Sequence, residues 1–390
     1  MVVLRIPPVV AASIASWGSS KFSAGTIFVA TIVIADDTLA YDGTFLETRP
    51  IGGTENAVIN FARAMARRGH HVTAYTNCER AIEHEGVRWV PLRGPPPQTC
   101  DLYIACQHPR LFGLVPKPKR LAVWVVWQPN HLKHYKNILK VWWHRPVPVL
   151  ISRYQIGIYS PFLPRRNPHI VVPHGLPDDI RGLPPLPSPP PPEAIFASNP
   201  TRNLYPLIQI FADRILPRRP DALFHIYGIH GLKPGDDPWQ VWAGTFLPAG
   251  LSEAARAAIR IHPTASRAEL LAAVRRSRVM LYLGHKVEAF CFSLAEAQAM
   301  GVPCVVAPVA VLPERVVDGV TGYVRSDPQD FADAALALLS DDALWRSQHE
   351  AALRLQQGLS WDEHAARFEA AVMADLGPEI RAHPSGATDG

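Results

Sequence analysis

Two glutamates flank the point where a predicted buried strand is followed by a helix. Glu288 and Glu296 are separated by seven residues, so the first falls in the loop and the second in the first turn of the helix. The apolar run at residues 279–283 predicts the strand, and Gly301 and Pro303 end the helix. Both carboxylates then face the carboxyl edge of a sheet, where open α/β proteins bind ligands. Carboxylates accept hydrogen bonds from paired hydroxyls, and a helix N terminus binds anions.

A second interpretation of the same residues requires no ligand. Ser293 and Glu296 have the spacing of a capping box, in which the serine caps the helix and the glutamate bonds back to the serine amide. The sequence alone leaves both interpretations of Glu296 open.

Composition predicts a globular protein of two ordinary domains. The chain has 390 residues, of which 48% are hydrophobic and 19% are charged. Its 39 prolines cluster at residues 184–192, which indicates a stiff linker. The five cysteines are odd in number and lack the paired spacing of a metal site, so we expect free thiols and a cytoplasmic location.

The charge balance indicates anionic partners. A net charge of +5 and a pI near 9.0 favour nucleotide diphosphates or acidic lipid surfaces. We find no zinc finger, arginine-rich tract or helix-turn-helix pattern, so nucleic acid is not an expected partner. No apolar run reaches the ~20 residues that span a bilayer. Residues 1–26 are predicted to be an unstructured extension, with a targeting segment as the alternative.

A glycine pair precedes the first predicted helix of the folded part. An apolar run at residues 26–34 predicts a strand, and Gly52 and Gly53 follow in the next loop. Val58, Phe61 and Met65 then recur at helical spacing. Glycines at this point let backbone approach a ligand at the positive end of the helix dipole. A plain tight turn is the alternative.

The glutamate pair, followed by Ala-Met-Gly-Val-Pro at residues 299–303, resembles the donor site of retaining glycosyltransferases of family 4. That resemblance covers residues 27 to about 375. It implies the GT-B architecture: α/β, with two Rossmann-like doubly wound domains facing each other across a cleft. It also implies that Glu288 contacts the hexose hydroxyls and Glu296 the ribose hydroxyls of a nucleotide sugar.

Further donor and catalytic residues follow from the same resemblance. The Gly53 loop would lie over the donor phosphates, Arg202 would neutralise the departing diphosphate, and His131 would lie beside the reacting sugar. The diphosphate would be held by loop amides of Phe290, Cys291, Phe292, Ser293 and Leu294. No metal or cofactor is implied, which agrees with the absence of an Asp-x-Asp motif.

The chain departs from the family pattern at three points. Ser198 stands where a first cationic residue is common, and Cys291 stands where glycine is common. Trp127 or Gln128 occupies the usual place of the histidine, so we prefer His131 over His108 while leaving the choice open.

The resemblance and the composition together predict the domain boundaries. Residues 27–182 form the acceptor domain, residues 183–192 a proline-rich hinge and residues 193–360 the nucleotide-sugar domain. A C-terminal helix at 361–376 returns to the first domain, and residues 377–390 form a loose tail. The predicted activity is transfer of a hexose from a nucleotide diphosphate sugar to a glycan, a lipid-linked or a small-molecule acceptor, with retention of configuration.

Two other functions are compatible with the same residues. A sugar phosphorylase of the same architecture, or a non-catalytic sugar-binding protein, would also fit the pattern.

Trp142 and Trp143 are adjacent and lie among several lysines, and two neighbouring helical residues cannot both point inward. Such a segment suits peripheral contact with an anionic membrane or stacking on a sugar ring.

Overall fold

The computed structural model describes residues 29–48, 51–164, 169–228, 236–374 and 376. The predicted extension at 1–26 and the predicted tail at 377–390 lie outside these ranges. The described chain forms two parallel β-sheets with helices packed on their faces. None of the helices in these ranges has the length and apolar content to cross a bilayer.

The N-terminal sheet has eight strands in the order β3-β4-β2-β1-β5-β6-β7-β8. All its pairs are parallel except β3 with β4. The first strand ends at Ala35, one residue beyond the predicted run. The strands are β1 (Thr31–Ala35), β2 (His71–Thr76), β3 (Ile82–His84), β4 (Val87–Pro91), β5 (Thr99–Cys106), β6 (Lys117–Val125), β7 (Val147–Leu150) and β8 (Ile170–Val171).

The helices of this half include the predicted helix after the glycine pair. Its inward residues Val58, Phe61 and Met65 are fully buried, as their spacing predicted. Gly69 follows the helix at φ +92°, a left-handed conformation that suits glycine. The helices are α1 (Phe45–Thr48), α2 (Gly53–Arg67), α3 (Tyr135–His144) and α4 (Arg153–Ile158), with 3₁₀ turns at Pro109–Leu111, Pro129–Lys133 and Asp178–Ile180.

The C-terminal sheet has six parallel strands in the order β12-β11-β10-β13-β14-β15. The strand order reverses between β10 and β13, and ligands of doubly wound sheets bind outside the carboxyl ends of the strands at such a point. The strands are β10 (Glu193–Ala197), β11 (Leu223–Tyr227), β12 (Ile259–Ile261), β13 (Val279–Tyr282), β14 (Cys304–Val306) and β15 (Gly322–Val324).

Nine helices accompany the described part of this second sheet and the end of the chain. They are α5 (Leu204–Ile210, continued by a π turn at Phe211–Ile215), α6 (Pro238–Val241), α7 (Glu253–Ala258), α8 (Arg267–Arg276), α9 (Phe292–Ala299), α10 (Leu312–Arg315), α11 (Pro328–Ser340), α12 (Asp342–Leu355) and α13 (Trp361–Met373).

The two halves are joined by a linker and by the last helix. Residues 183–192 contain no helix or strand. A short parallel pair links β9 (Gly175–Leu176) to β16 (Leu359–Ser360). Helix α13 then packs on α2, where Arg67 pairs with Asp362 and Arg68 with Glu369, each over 2.6 Å. The last described helix therefore lies against the N-terminal half.

Candidate active site

Glu288 lies in the loop that follows β13 and is buried, with 8% of its surface exposed. The hydroxyl of Tyr282 donates a hydrogen bond to its Oε1 over 2.6 Å. Arg202 Nε lies 3.3 Å from the same oxygen. The other oxygen, Oε2, accepts no hydrogen bond from the residues that the structure describes. One half of the carboxylate is therefore held by the protein and the other half is available to a ligand.

Arg202 reaches Glu288 because their loops follow neighbouring strands. Arg202 lies in the turn after β10, and β10 pairs directly with β13. Asn203 joins the two loops by donating its side-chain amide to the Gly284 carbonyl over 2.6 Å. The predicted anion-binding arginine and the predicted sugar-binding glutamate thus meet at the point where the strand order reverses.

Helix α9 begins two residues earlier than the capping-box interpretation requires. Its first residue is Phe292, and Cys291 occupies the N-cap position without a side-chain cap bond. Ser293 therefore lies within the helix, and Glu296 bonds elsewhere, so the capping-box interpretation is wrong. The first amides of the helix have no partner inside it and remain available to an anion.

Cys291 adopts a left-handed backbone conformation, with φ 61° and ψ 77°. Glycine takes this conformation at no steric cost, whereas a residue with a Cβ is strained there. The cysteine is nevertheless buried. The departure from glycine noted in the sequence therefore falls where backbone geometry favours glycine.

Glu296 is buried within α9 and forms an ion pair with the C-terminal domain's own Arg267. Arg267 Nη2 lies 2.6 Å from Glu296 Oε1. Burial raises the pKa of Glu296, against the opposing effect of Arg267. The carboxylate is therefore positioned by α8 and α9.

Gly53 brings the N-terminal half onto the start of α9. A Cβ built on Gly53 would lie 3.1 Å from Phe292 Cδ2. His174 also stacks on Phe292, with the ring centroids 5.3 Å apart and the two rings nearly parallel. Trp127 Nε1 also donates to Thr54 Oγ1 over 2.6 Å. The Gly53 loop and the first turn of α9 therefore face each other across the two halves.

His131 and His108 lie side by side, with ring centroids 5.7 Å apart. Gln107 binds both ring nitrogens of His131: its side-chain amide is 2.9 Å from Nδ1, and its carbonyl accepts from Nε2 over 2.7 Å. Burial lowers the pKa of His131, which favours the neutral form of the ring. Both of its nitrogens are engaged, and the preference for His131 therefore does not fit the hydrogen bonds of its ring.

His108 has a different environment. Its Nδ1 bonds to Asp37, which also binds Arg110. Burial alone would raise the pKa of Asp37, but the hydrogen bonds from His108 and Arg110 hold this pKa below its usual value. His108 lies two residues beyond β5, and its ring is nearly perpendicular to that of Trp127, with centroids 6.0 Å apart. It becomes the better candidate for the histidine at the reacting centre.

Sequence reasoning missed two contributors to this site. Tyr282 is the last residue of β13, and the apolar run that contains it predicts only a buried strand. Glu314 accepts hydrogen bonds from the amides of Arg153 and Tyr154 at the start of α4, which joins the two halves. A tyrosine at a strand end was an available signal for the first, whereas the second has no local signal.

One side-chain cluster outside the cleft has ligand atoms close enough for a metal. Atoms of Glu47, His84 and Glu85 lie within 4.8 Å of one another. Arg63 bonds to both carboxylates, so a cation already occupies the position between them. This cluster is an ion-pair network and gives no support to a metal site.

Part of the chain matches a family of known proteins. Residues 193–341 match the family model described as Glycosyl transferases group 1. The D-inositol 3-phosphate glycosyltransferase of Thermobifida fusca is 36% identical over 107 residues, which is 27% of this chain and 24% of that protein. The chain thus aligns with about a quarter of the length of this curated relative.

Solved structures resemble nearly the whole chain. A glycosyltransferase from Rickettsia africae superimposes with a TM-score of 0.64 at 16% identity, covering 88% of this chain and 97% of that one. Anabaena Alr3699/HepE in complex with UDP-glucose gives 0.59 at 12% identity, covering 88% and 100%. These neighbours confirm the predicted fold of two Rossmann-like domains. The chain has the GT-B fold, and residues 193–341 match the group 1 glycosyl transferases.

Proposed function

We propose that this protein transfers a hexose from a nucleotide diphosphate sugar to an acceptor hydroxyl with retention of configuration. The observation that carries the proposal is the pairing of Arg202 with Glu288 in front of the first turn of α9. An arginine, a helix N terminus and a half-free carboxylate supply the groups that a diphosphate and a sugar ring require.

The chemistry assigned to these groups is electrostatic. As the bond between the anomeric carbon and the phosphate oxygen breaks, its electron pair leaves with the diphosphate. Arg202 and the amides at the start of α9 stabilise this growing charge. Glu288 orients the sugar through Oε2, because its Oε1 is already held by Tyr282 and Arg202.

Glu296 is assigned to the ribose. Its carboxylate is buried on α9, and Arg267 is bound to one of its oxygens. The two hydroxyls of a ribose would donate hydrogen bonds to the other oxygen of this carboxylate. This role separates a nucleotide-dependent enzyme from a phosphorylase, which has no ribose to bind.

The acceptor and the location remain part of the proposal. We infer a glycan, a lipid-linked or a small hydroxyl acceptor bound by the N-terminal domain beside His108 and Trp127. The five cysteines are all buried thiols, which suits the reducing conditions of the cytoplasm.

The direct test incubates the purified protein with a panel of nucleotide sugars and a mixture of acceptors and measures nucleotide release. Release from one donor, with the product's anomeric configuration retained in its NMR spectrum, supports the proposal. Undiminished release after treatment with a chelator supports metal independence. Sugar transfer only with inorganic phosphate would identify a phosphorylase, and donor binding without release would identify a non-catalytic protein.

The two glutamates are distinguished by their glutamine variants. Glu288→Gln should lower kcat by about tenfold or more, because it weakens an interaction that orients the reacting sugar. Glu296→Gln should instead raise the donor KM with a smaller effect on kcat. Glu350→Gln, on the exposed face of α12, is the matched control. Unchanged kinetics in both site variants would remove the roles given to these carboxylates.

A further inference from the structure

One continuous segment of the N-terminal half carries positive charge without any negative charge. Residues 102–177 contain eleven lysines and arginines and not one aspartate or glutamate. The whole chain has 39 basic and 34 acidic residues, so the remainder has more acidic than basic residues. The net charge of +5 therefore conceals a strong separation of charge along the chain.

Helix α3 lies within this segment and exposes large apolar side chains. Tyr135, Leu139 and Trp142 stand at helical positions i, i+4 and i+7, so they share one stripe on the helix surface. Trp143 lies next to that stripe. The exposed fractions are 69% for Tyr135, 67% for Leu139, 51% for Trp142 and 85% for Trp143.

A loop extends this apolar stripe beyond the helix. Trp142 Nε1 donates to the carbonyl of Phe162 over 2.9 Å, which places the 73% exposed Phe162 beside the helix. We call the surface formed by Tyr135, Leu139, Trp142, Trp143 and Phe162 the aromatic ridge. Most monomeric proteins bury such a set of side chains, and its exposure indicates a binding surface.

Cations border the aromatic ridge on the same helix. Lys136 and Lys140 are exposed and lie one turn apart, and Lys133 and Arg145 flank the two ends of the helix. Lys136 also lies over the ring of Tyr135, 5.7 Å from its centroid. The inner side of the helix is anchored, since Val141 is buried in the domain core. The ridge and its cations consequently face solvent as one amphipathic surface.

We propose that this surface binds the headgroup region of an anionic lipid bilayer. Tryptophan and tyrosine rings partition to the boundary between headgroups and acyl chains, and lysines beside them are attracted to anionic lipid. Neither a nucleic-acid groove nor a protein interface explains this combination as well. Single-stranded nucleic acid stacks on tryptophan rings but offers no apolar phase to the exposed Leu139, and a protein partner would leave the uniform positive charge unexplained.

The aromatic ridge lies close in sequence to residues that border the two halves of the protein. Helix α3 begins two residues after the 3₁₀ turn Pro129–Lys133, which contains His131 beside the cleft. Gln128, just before that turn, donates to the carbonyl of Lys286 in the C-terminal domain. A bilayer on the ridge would therefore lie near the opening between the two halves.

The test measures co-sedimentation of the full chain with vesicles of phosphatidylcholine alone and of phosphatidylcholine mixed with phosphatidylglycerol. We expect binding to the anionic vesicles to be stronger by about tenfold or more, and to weaken when salt is added. Lys136→Glu combined with Lys140→Glu should abolish this preference. Leu139→Ser combined with Trp143→Ser should reduce binding while leaving the salt dependence in place.

Matched controls lie on the C-terminal half. Arg354→Glu and Val241→Ser change an exposed cation and an exposed apolar residue there, and both should bind vesicles as the wild type does. The melting temperature of each variant reports its folding. Equal binding to both vesicle types, or equal loss in the control variants, would overturn the proposal. So would ridge-dependent dimerisation, or binding to oligonucleotides but not vesicles.

Discussion

Tyr282 and Glu288 are joined by a hydrogen bond of 2.6 Å between the phenolic hydroxyl and the carboxylate Oε1. The same hydroxyl lies 3.1 Å from Ser198 Oγ. Burial raises the pKa of Tyr282 far above its ordinary value, so the hydroxyl keeps its proton and acts as the donor. The last residue of a central strand thus fixes the orientation of the glutamate in the loop that follows.

Tyr282→Phe should lower kcat by about tenfold, because Glu288 loses the donor that holds one of its oxygens and becomes free to rotate. The stacking of the ring on Phe196 remains, so the fold should persist. Steady-state kinetics with the identified donor provide the measurement. Tyr323→Phe, two strands away on β15, should leave kcat as it is. A kcat in Tyr282→Phe that matches the control would show that Glu288 is positioned by other contacts.

Gly53→Val should raise the donor KM several-fold, because its side chain would enter the contact between α2 and α9. Even a Cβ at this position would lie 3.1 Å from the Phe292 ring. Gly113→Val is the control, since a Cβ there meets no atom within 4 Å. Donor binding by calorimetry measures the effect. If both variants bind the donor as the wild type does, closure of the two halves over Gly53 is not part of donor binding.

Local sequence signals were sufficient for much of the fold. The apolar run before Glu288 predicted β13, and the spacing of Phe61 and its neighbours predicted the buried face of α2. The strand and helix predictions depend only on periodicity. A common site for Arg202 and Glu288 was instead implied by the family resemblance, and the structure brings them together because both residues follow neighbouring strands of one parallel sheet.

The remaining site contacts depend on geometry that no local pattern carries. The start of α9 at Phe292 reflects the left-handed backbone of Cys291, whereas the sequence favoured Ser293 as a cap. Gln107 engages both nitrogens of His131 across 24 positions of the chain. Side-chain partners at such separations are determined by tertiary packing, so the sequence alone leaves His131 and His108 as alternatives.

Cys291→Gly should be more stable than Cys291→Ala by about 1 kcal/mol. Both variants lose the buried sulfur, but only alanine keeps a Cβ in the left-handed conformation, which costs roughly 1–2 kcal/mol and is partly offset by the greater unfolded-state entropy of glycine. Urea unfolding of the two variants gives the difference directly. A glycine variant no more stable than the alanine variant would mean that the loop relieves the strain by moving.

The pH dependence of stability should report the buried histidine His364. Burial lowers its pKa from 6.5 to about 4, while its Nδ1–H donates to the Pro173 carbonyl over 2.8 Å. Between these values the unfolded chain binds a proton that the folded chain does not. The free energy of unfolding should therefore decrease as the pH falls from 6.5 to about 4, by up to about 1.4 kcal/mol per pH unit for this residue.

His364→Gln isolates that contribution, because glutamine can donate to Pro173 but does not titrate. Its free energy of unfolding, measured in urea across this pH range, should fall less steeply with acid than that of the wild type. The variant is expected to be less stable at neutral pH, since the His364 ring packs edge-on against Phe61. His71→Gln, at an exposed position on β2, should keep the wild-type slope. Parallel slopes for the wild type and His364→Gln would contradict the assignment, because they would require His364 to bind its proton equally well in the folded and unfolded chains.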